Sequence, residues 1–157
     1  MTRAEALLAA ARAKGAMIAT AESCTGGMIG AAITDVAGSS DIFDRGFITY
    51  SNAAKTAMLG VRASTLSAHG AVSEEVAREM AEGALERSGA TLAVAVTGIA
   101  GPGRSEHKPE GRVCFGLARR GHPTWVETVE FGPRGRAGVR EATVLHALDL
   151  LLQALDG

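Results

Sequence analysis

Aromatic residues are scarce in this chain: one Trp, one Tyr and four Phe among 157 residues. Ala, Val, Leu and Ile must therefore do most of the packing. Cysteine is scarcer still, with only Cys24 and Cys114, in no metal or redox spacing, so a disulfide framework is not expected. His69, His107, His122 and His146 show neither helical nor zinc-ligand spacing, and no metal or other cofactor is expected. A net charge of −1 argues against general attraction to nucleic acid or to an anionic membrane. No apolar run approaches the ~20 residues of a membrane span. The first residues carry charges inside a helical pattern and lack a signal-peptide core. A cytoplasmic, thiol-reduced protein is the simplest expectation.

What is present suits one domain over residues 1–157, with 46% hydrophobic residues and enough length to bury a core. Thr2-Arg-Ala-Glu5 reads as a capping box opening an Ala/Leu-rich helix that stops near Lys14-Gly15. Ala16–Thr20 reads as a short strand, Ser23–Gly27 as a turn, and Met28–Val36 as a helix. A second strand lies within Phe43–Ser51, followed by a helix over Asn52–Leu59. Ser73-Glu-Glu75 opens another helix, to about Arg87, with acidic residues in its first turn. Thr91–Thr97 is an unbroken β-rich apolar run, as in a strand covered on both faces. Gly98–Gly111 is a Gly/Pro-rich loop. Arg112–Ala118 and Thr124–Phe131 read as a hairpin, and Gly135–Leu155 as a final helix. This order predicts a three-layer α/β/α fold whose sheet is mixed rather than wholly parallel.

The segment Thr20-Ala-Glu-Ser-Cys-Thr-Gly-Gly27 runs from strand to helix. Helix-terminal N–H groups beside Gly26 and Gly27 could bind an anion or stabilise an oxyanion, with Ser23 at the mouth of the turn. The spacing matches neither a Walker A loop nor the Gly-x-Ser-x-Gly elbow. Locally, Ser23 or Thr25 serves equally well as a helix cap. Cys24 is a rival nucleophile or a small buried hydrophobe. Lys55, with no carboxylate within four positions, is either an ordinary helix lysine or a desolvated amine. Arg136 and Arg140, four apart near the start of the last helix, share a face and could clamp a phosphate. Arg104, His107 and Lys108 form a second basic group.

Several blocks in order resemble the CinA C-terminal family: residues 20–27, Thr34-Asp-Val-Ala-Gly-Ser-Ser40, Arg45-Gly-Phe-Ile-Thr-Tyr-Ser-Asn52 with Lys55, His69-Gly-Ala-Val-Ser-Glu74 and Thr97-Gly-Ile-Ala-Gly-Pro102. The resemblance spans about Ala16–Leu148. It implies a metal-independent amidohydrolase that converts nicotinamide mononucleotide to nicotinic acid mononucleotide and ammonia, with no cofactor. It implies Ser23 as nucleophile, Lys55 as base and Tyr50 as an orienting or proton-relaying group. Thr25, Gly26, Gly27, Thr97, Gly98, Arg136 and Arg140 are the expected substrate-binding positions. A homo-oligomer is expected by the same resemblance, with a small-molecule mononucleotide as partner. Two segments depart from the family pattern: Arg104 stands in a region usually rich in glycine, and Gly132-Pro-Arg-Gly-Arg136 lacks the usual aspartate. A binding module that keeps the pocket without turnover is the alternative.

Overall fold

A computed structural model describes residues 1–156; Gly157, the last residue of the expected domain, lies outside the described residues. The elements are α1 (Arg3–Lys14), β1 (Ile18–Glu22), α2 (Met28–Thr34), β2 (Phe43–Ile48), α3 (Asn52–Leu59), α4 (Ala63–His69), α5 (Glu74–Glu86), β3 (Leu92–Gly98), β4 (Arg112–Arg119), β5 (Trp125–Glu130) and α6 (Gly135–Asp156). A short 3₁₀ turn, Ser39–Asp41, precedes β2. The capping box at Thr2 and Glu5 is formed, and Gly15 closes α1 in the left-handed conformation.

The five strands lie in the order β2-β1-β3-β4-β5. β1 runs parallel to both β2 and β3, whereas β4 and β5 are antiparallel additions. The sheet is mixed and covered by helices on both faces, which is the expected three-layer architecture. β1 begins and ends two residues later than the sequence pattern predicts, so Glu22 falls inside the strand. A glutamate is left out of a strand read from a single sequence, because charge is rarely taken into a core. α4 is absent from the sequence reading for a related reason. Ser64, Thr65 and Ser67 are weak helix formers. The helix is held instead by Glu79 of α5, which accepts from the Arg62 N–H at 2.8 Å and from Thr65 Oγ1 at 2.6 Å.

The shortage of aromatics is met by close approach. One face of β3 presents Leu92, Val94 and Val96 to α1, α2 and α6; the other presents Ala93 and Ala95 to α5. α5 itself offers Ala77, Ala81 and Ala84. At Gly116 of β4 a Cβ would stand 2.4 Å from the Ala77 carbonyl oxygen. Gly116→Ala is therefore expected to cost about 2–3 kcal/mol through overpacking. The check is urea unfolding, with a lower midpoint at unchanged slope.

The chain winds from β1 outward to β2, then crosses back to β3 on the other side of β1. Such a reversal opens a crevice at the carboxyl ends of the two central parallel strands. β1 ends at Glu22 and β3 at Gly98, so the residues that follow each, Ser23 and Ile99, border the same crevice.

Candidate active site

A cavity of about 280 Å³ occupies this crevice, with Ser23, Lys55, Thr97, Gly98 and Arg136 among its lining residues. Ser51 caps α3 by accepting from the Ala54 N–H. This orients the first turn so that Lys55 points inward, and it is only 1% exposed. Its Nζ lies 3.0 Å from Ser23 Oγ, 3.0 Å from the Thr49 carbonyl and 3.4 Å from the Tyr50 carbonyl. No salt bridge to Lys55 occurs among the described residues. Burial pulls its pKa below the ordinary lysine value, against opposing pull from Cys24 and Glu106. A neutral amine has two donors and one lone pair. Two carbonyls can take the donors, which leaves the lone pair facing the Ser23 hydroxyl.

Cys24 also lines the cavity, but its thiol is not activated. Burial pushes its pKa up to about 11, the opposite of what a thiolate nucleophile needs.

The other predicted positions divide. Tyr50 brings its carbonyl, not its phenol, to Lys55. Tyr50 is 61% exposed, and its hydroxyl accepts from Arg136 Nη2 at 2.7 Å. Arg136 Nη1 donates to the Gly101 carbonyl at 2.8 Å, so Arg136 straps the cavity rim from Tyr50 to the loop after β3. Arg140 does not join it. Its Nε and Nη2 hold the carbonyls of Cys24 and Thr25 at 3.0 and 3.2 Å, and it is not among the cavity-lining residues. The i,i+4 spacing puts both arginines on one helix face, but the Ser23 turn comes between Arg140 and the crevice.

Thr25, Gly26 and Gly27 lie outside the cavity lining as well. Of the N–H groups expected to meet an oxyanion there, those of Gly26 and Gly27 are already used. Gly26 N–H donates to the Ser23 carbonyl at 3.1 Å, and Gly27 N–H to Glu22 Oε1 at 3.2 Å. The sequence reading missed Glu22, whose carboxylate fills the place given to a ligand anion. In the loop after β3, Ala100 and Gly101 line the cavity, and their N–H groups donate to no group among the described residues.

Thr97 and Gly98 line the opposite wall; Thr97 Oγ1 donates to the Ala71 carbonyl at 2.9 Å. Arg104, from the second basic group read in the sequence, also joins the lining, as do Ala71, Asn52 and Glu106, which the sequence did not single out. Glu110 was also missed. One of its oxygens accepts from Gly103 N–H at 2.7 Å and the other from Gly135 N–H at 2.9 Å. It thereby ties the loop to the start of α6, next to Arg136. No cluster of three or more His, Cys, Asp or Glu placed to hold a metal occurs among the described residues. No helix among them is long and apolar enough to cross a membrane.

The sequence profile of the family described as CinA C-terminal domain matches residues 1–155. The chain belongs to the CinA C-terminal family. It is 53% identical over 146 residues to the nicotinamide-nucleotide amidohydrolase PncC of Enterobacter agglomerans, covering 92% of this chain and 86% of that protein. A competence-damage inducible protein of Symbiobacterium thermophilum is 54% identical over 153 residues, but this chain spans only 36% of its length. Among solved structures, the competence/damage inducible protein CihA from Agrobacterium tumefaciens superposes with a TM-score of 0.94 at 48% identity, covering 99% of this chain and 94% of that one. The crevice in this CinA-family fold therefore belongs to a scaffold found both alone and within proteins about three times as long.

Proposed function

We propose that the chain is a nicotinamide mononucleotide amidohydrolase that works through a Ser23–Lys55 dyad. The observation that carries this reading is the 3.0 Å approach of a buried lysine, in no salt bridge among the described residues, to a cavity-facing serine. The likeness to nicotinamide-nucleotide amidohydrolases over nearly the whole length supplies the substrate class.

An amide is a weak electrophile and a serine hydroxyl a weak nucleophile, so a base must remove the proton as the C–O bond forms. Holding a lysine neutral at pH 7 costs roughly 4.6 kcal/mol from an ordinary pKa near 10.4. Burial supplies the means, because it penalises the charged form. Ser23 Oγ attacks the carboxamide carbon while Lys55 takes its proton. Negative charge develops on the carboxamide oxygen and is met by the free N–H groups of Ala100 and Gly101. The tetrahedral intermediate collapses, and the C–N bond breaks as Lys55 returns the proton to the departing nitrogen, which leaves as ammonia. Water, deprotonated by the same amine, then attacks the acyl carbon. Ser23 regains its proton and the carboxylic acid leaves. The net reaction is amide plus water to acid plus ammonia.

The substrate phosphate goes to Arg136, on the rim. Charge-assisted hydrogen bonds of this kind contribute about 1.5–3 kcal/mol. Arg136→Ala should therefore raise KM for nicotinamide mononucleotide about 10- to 100-fold with kcat little changed. KM for the phosphate-free riboside should not move. The reading is tested by assaying ammonia release from the mononucleotide, the riboside and free nicotinamide. Clear preference for the mononucleotide is expected. No release from any of the three would favour a binding module.

A further inference from the structure

The side chain of Glu22, a residue only 1% exposed and adjacent to the dyad's serine, makes no hydrogen bond to Ser23 Oγ or Lys55. All its hydrogen bonds run to the turn and helix that follow. Oε1 accepts from Thr25 Oγ1 at 2.6 Å, from Gly27 N–H at 3.2 Å and from Ile29 N–H at 2.9 Å. Oε2 accepts from Gly30 N–H at 3.0 Å. The N-cap residue of α2, Gly27, has no side chain to do this. A carboxylate at the positive end of a helix is favourable both as acceptor and as charge.

The backbone end of Glu22 is equally fixed. It sits in the interior strand β1, paired with Ile48 of β2 and Val96 of β3, and its carbonyl accepts from Thr49 N–H at 2.8 Å. Thr49 is the residue whose carbonyl receives Lys55 Nζ. Ser23 N–H donates to the Val96 carbonyl at 3.2 Å. Glu22 thus anchors the arc that carries Ser23 to the sheet at one end and to α2 at the other. From its backbone it also reaches the strand end that holds the lysine.

We infer that Glu22 is a positioning residue for the nucleophile: its buried carboxylate takes the place of a bound anion at the head of α2, and by clamping Thr25 and the first turn of that helix it holds Ser23 Oγ on Lys55. The inference rests on the reading of Ser23 as nucleophile. It accounts for the N–H groups of Gly27, Ile29 and Gly30, which the Glu22 carboxylate takes in place of a ligand anion. The length of glutamate is required, because its two oxygens must reach N–H groups five, seven and eight residues onward. Glutamine cannot replace it. An amide offers one acceptor oxygen, so its NH₂ must face either Gly30 N–H or the three donors on the other side.

The test is steady-state kinetics with nicotinamide mononucleotide on Glu22→Gln and Thr25→Val, alongside wild type and Ser23→Ala. A displacement of the nucleophile by about 1 Å costs on the order of 100-fold in rate. Glu22→Gln is therefore expected to lower kcat roughly 30- to 100-fold, with KM within about threefold of wild type. The acid limb of the pH–rate profile should stay in place, because Glu22 moves no proton. Thr25→Val removes one clamp bond without changing shape and should lower kcat about 5- to 10-fold, again with KM unmoved.

A kcat for Glu22→Gln within threefold of wild type would overturn the inference. So would a shifted acid limb, which would make Glu22 an acid–base group. If Glu22→Gln does not fold, Thr25→Val decides: unchanged kcat, or a fall in kcat matched by a rise in KM, overturns it. Turnover surviving in Ser23→Ala would sink the underlying reading instead, and that result is read separately.

Discussion

Lys55→Met is expected to lower turnover of nicotinamide mononucleotide by about 10²- to 10⁴-fold, the usual contribution of a positioned general base. Methionine keeps an unbranched apolar stem like that of lysine but ends one atom short of the amine, so the cavity wall is largely preserved while the lone pair is lost. Two pH signatures accompany the prediction. In the wild type kcat/KM should rise with pH through an acid limb set by Lys55 and lying below the ordinary lysine range, because burial favours the neutral amine. The second signature is in stability. With a native pKa below the unfolded one, the native state binds fewer protons between those two values, so wild-type stability rises with pH across that window. The methionine variant has no such group. Urea unfolding from pH 7 to pH 10 should therefore show the wild type gaining on the variant. A flat difference would mean that Lys55 is charged in the native state.

Ser23→Ala should be more severe, with kcat falling about 10⁴- to 10⁶-fold, as for serine hydrolases deprived of their nucleophile. The neighbouring cysteine supplies the control. Both residues line the cavity. The thiol pKa of about 11, however, leaves only about one part in 10⁴ as thiolate at neutral pH. Cys24→Ala should then keep activity within about threefold. Loss of activity in Cys24→Ala with retention in Ser23→Ala would exchange the two assignments. The structural reason for the asymmetry is where the basic group sits. Lys55 Nζ is aligned on Ser23 Oγ by the carbonyls of Thr49 and Tyr50, and no hydrogen bond joins it to Cys24.

The layers and the mixed sheet were legible in the sequence because they follow from periodicity and punctuation. The apolar run at 91–97 announces a doubly covered strand, and Gly98–Gly111 separates it from the hairpin. The locations of Ser23, Lys55, Thr97 and Gly98 also came from linear blocks. What did not come through depends on tertiary contact. α4 is supported by Glu79 from another helix, which local propensity cannot register. Glu22 falls between the strand and the turn expected from the sequence, because a charged side chain is rarely taken into a core. Its position, directly before the serine and ahead of a Gly-Gly helix start with no capping side chain, is the signal that could have revealed it. Arg140 was assigned to phosphate on a correct helical spacing. Helical spacing says which residues share a face, but not that the Ser23 turn lies between one of them and the cavity. Tyr50 illustrates the same limit at atomic scale: its backbone reaches the lysine while its side chain reaches Arg136.

Ammonia release from nicotinamide mononucleotide in the presence of rising hydroxylamine tests the central claim, acyl transfer to Ser23, most directly. Because amide acylation is the difficult step, hydroxylamine should leave the rate of ammonia release unchanged while diverting product from acid to hydroxamate, and neither product should form with Ser23→Ala. Acid as the sole product at every hydroxylamine concentration, or hydroxamate still formed by Ser23→Ala, would contradict it.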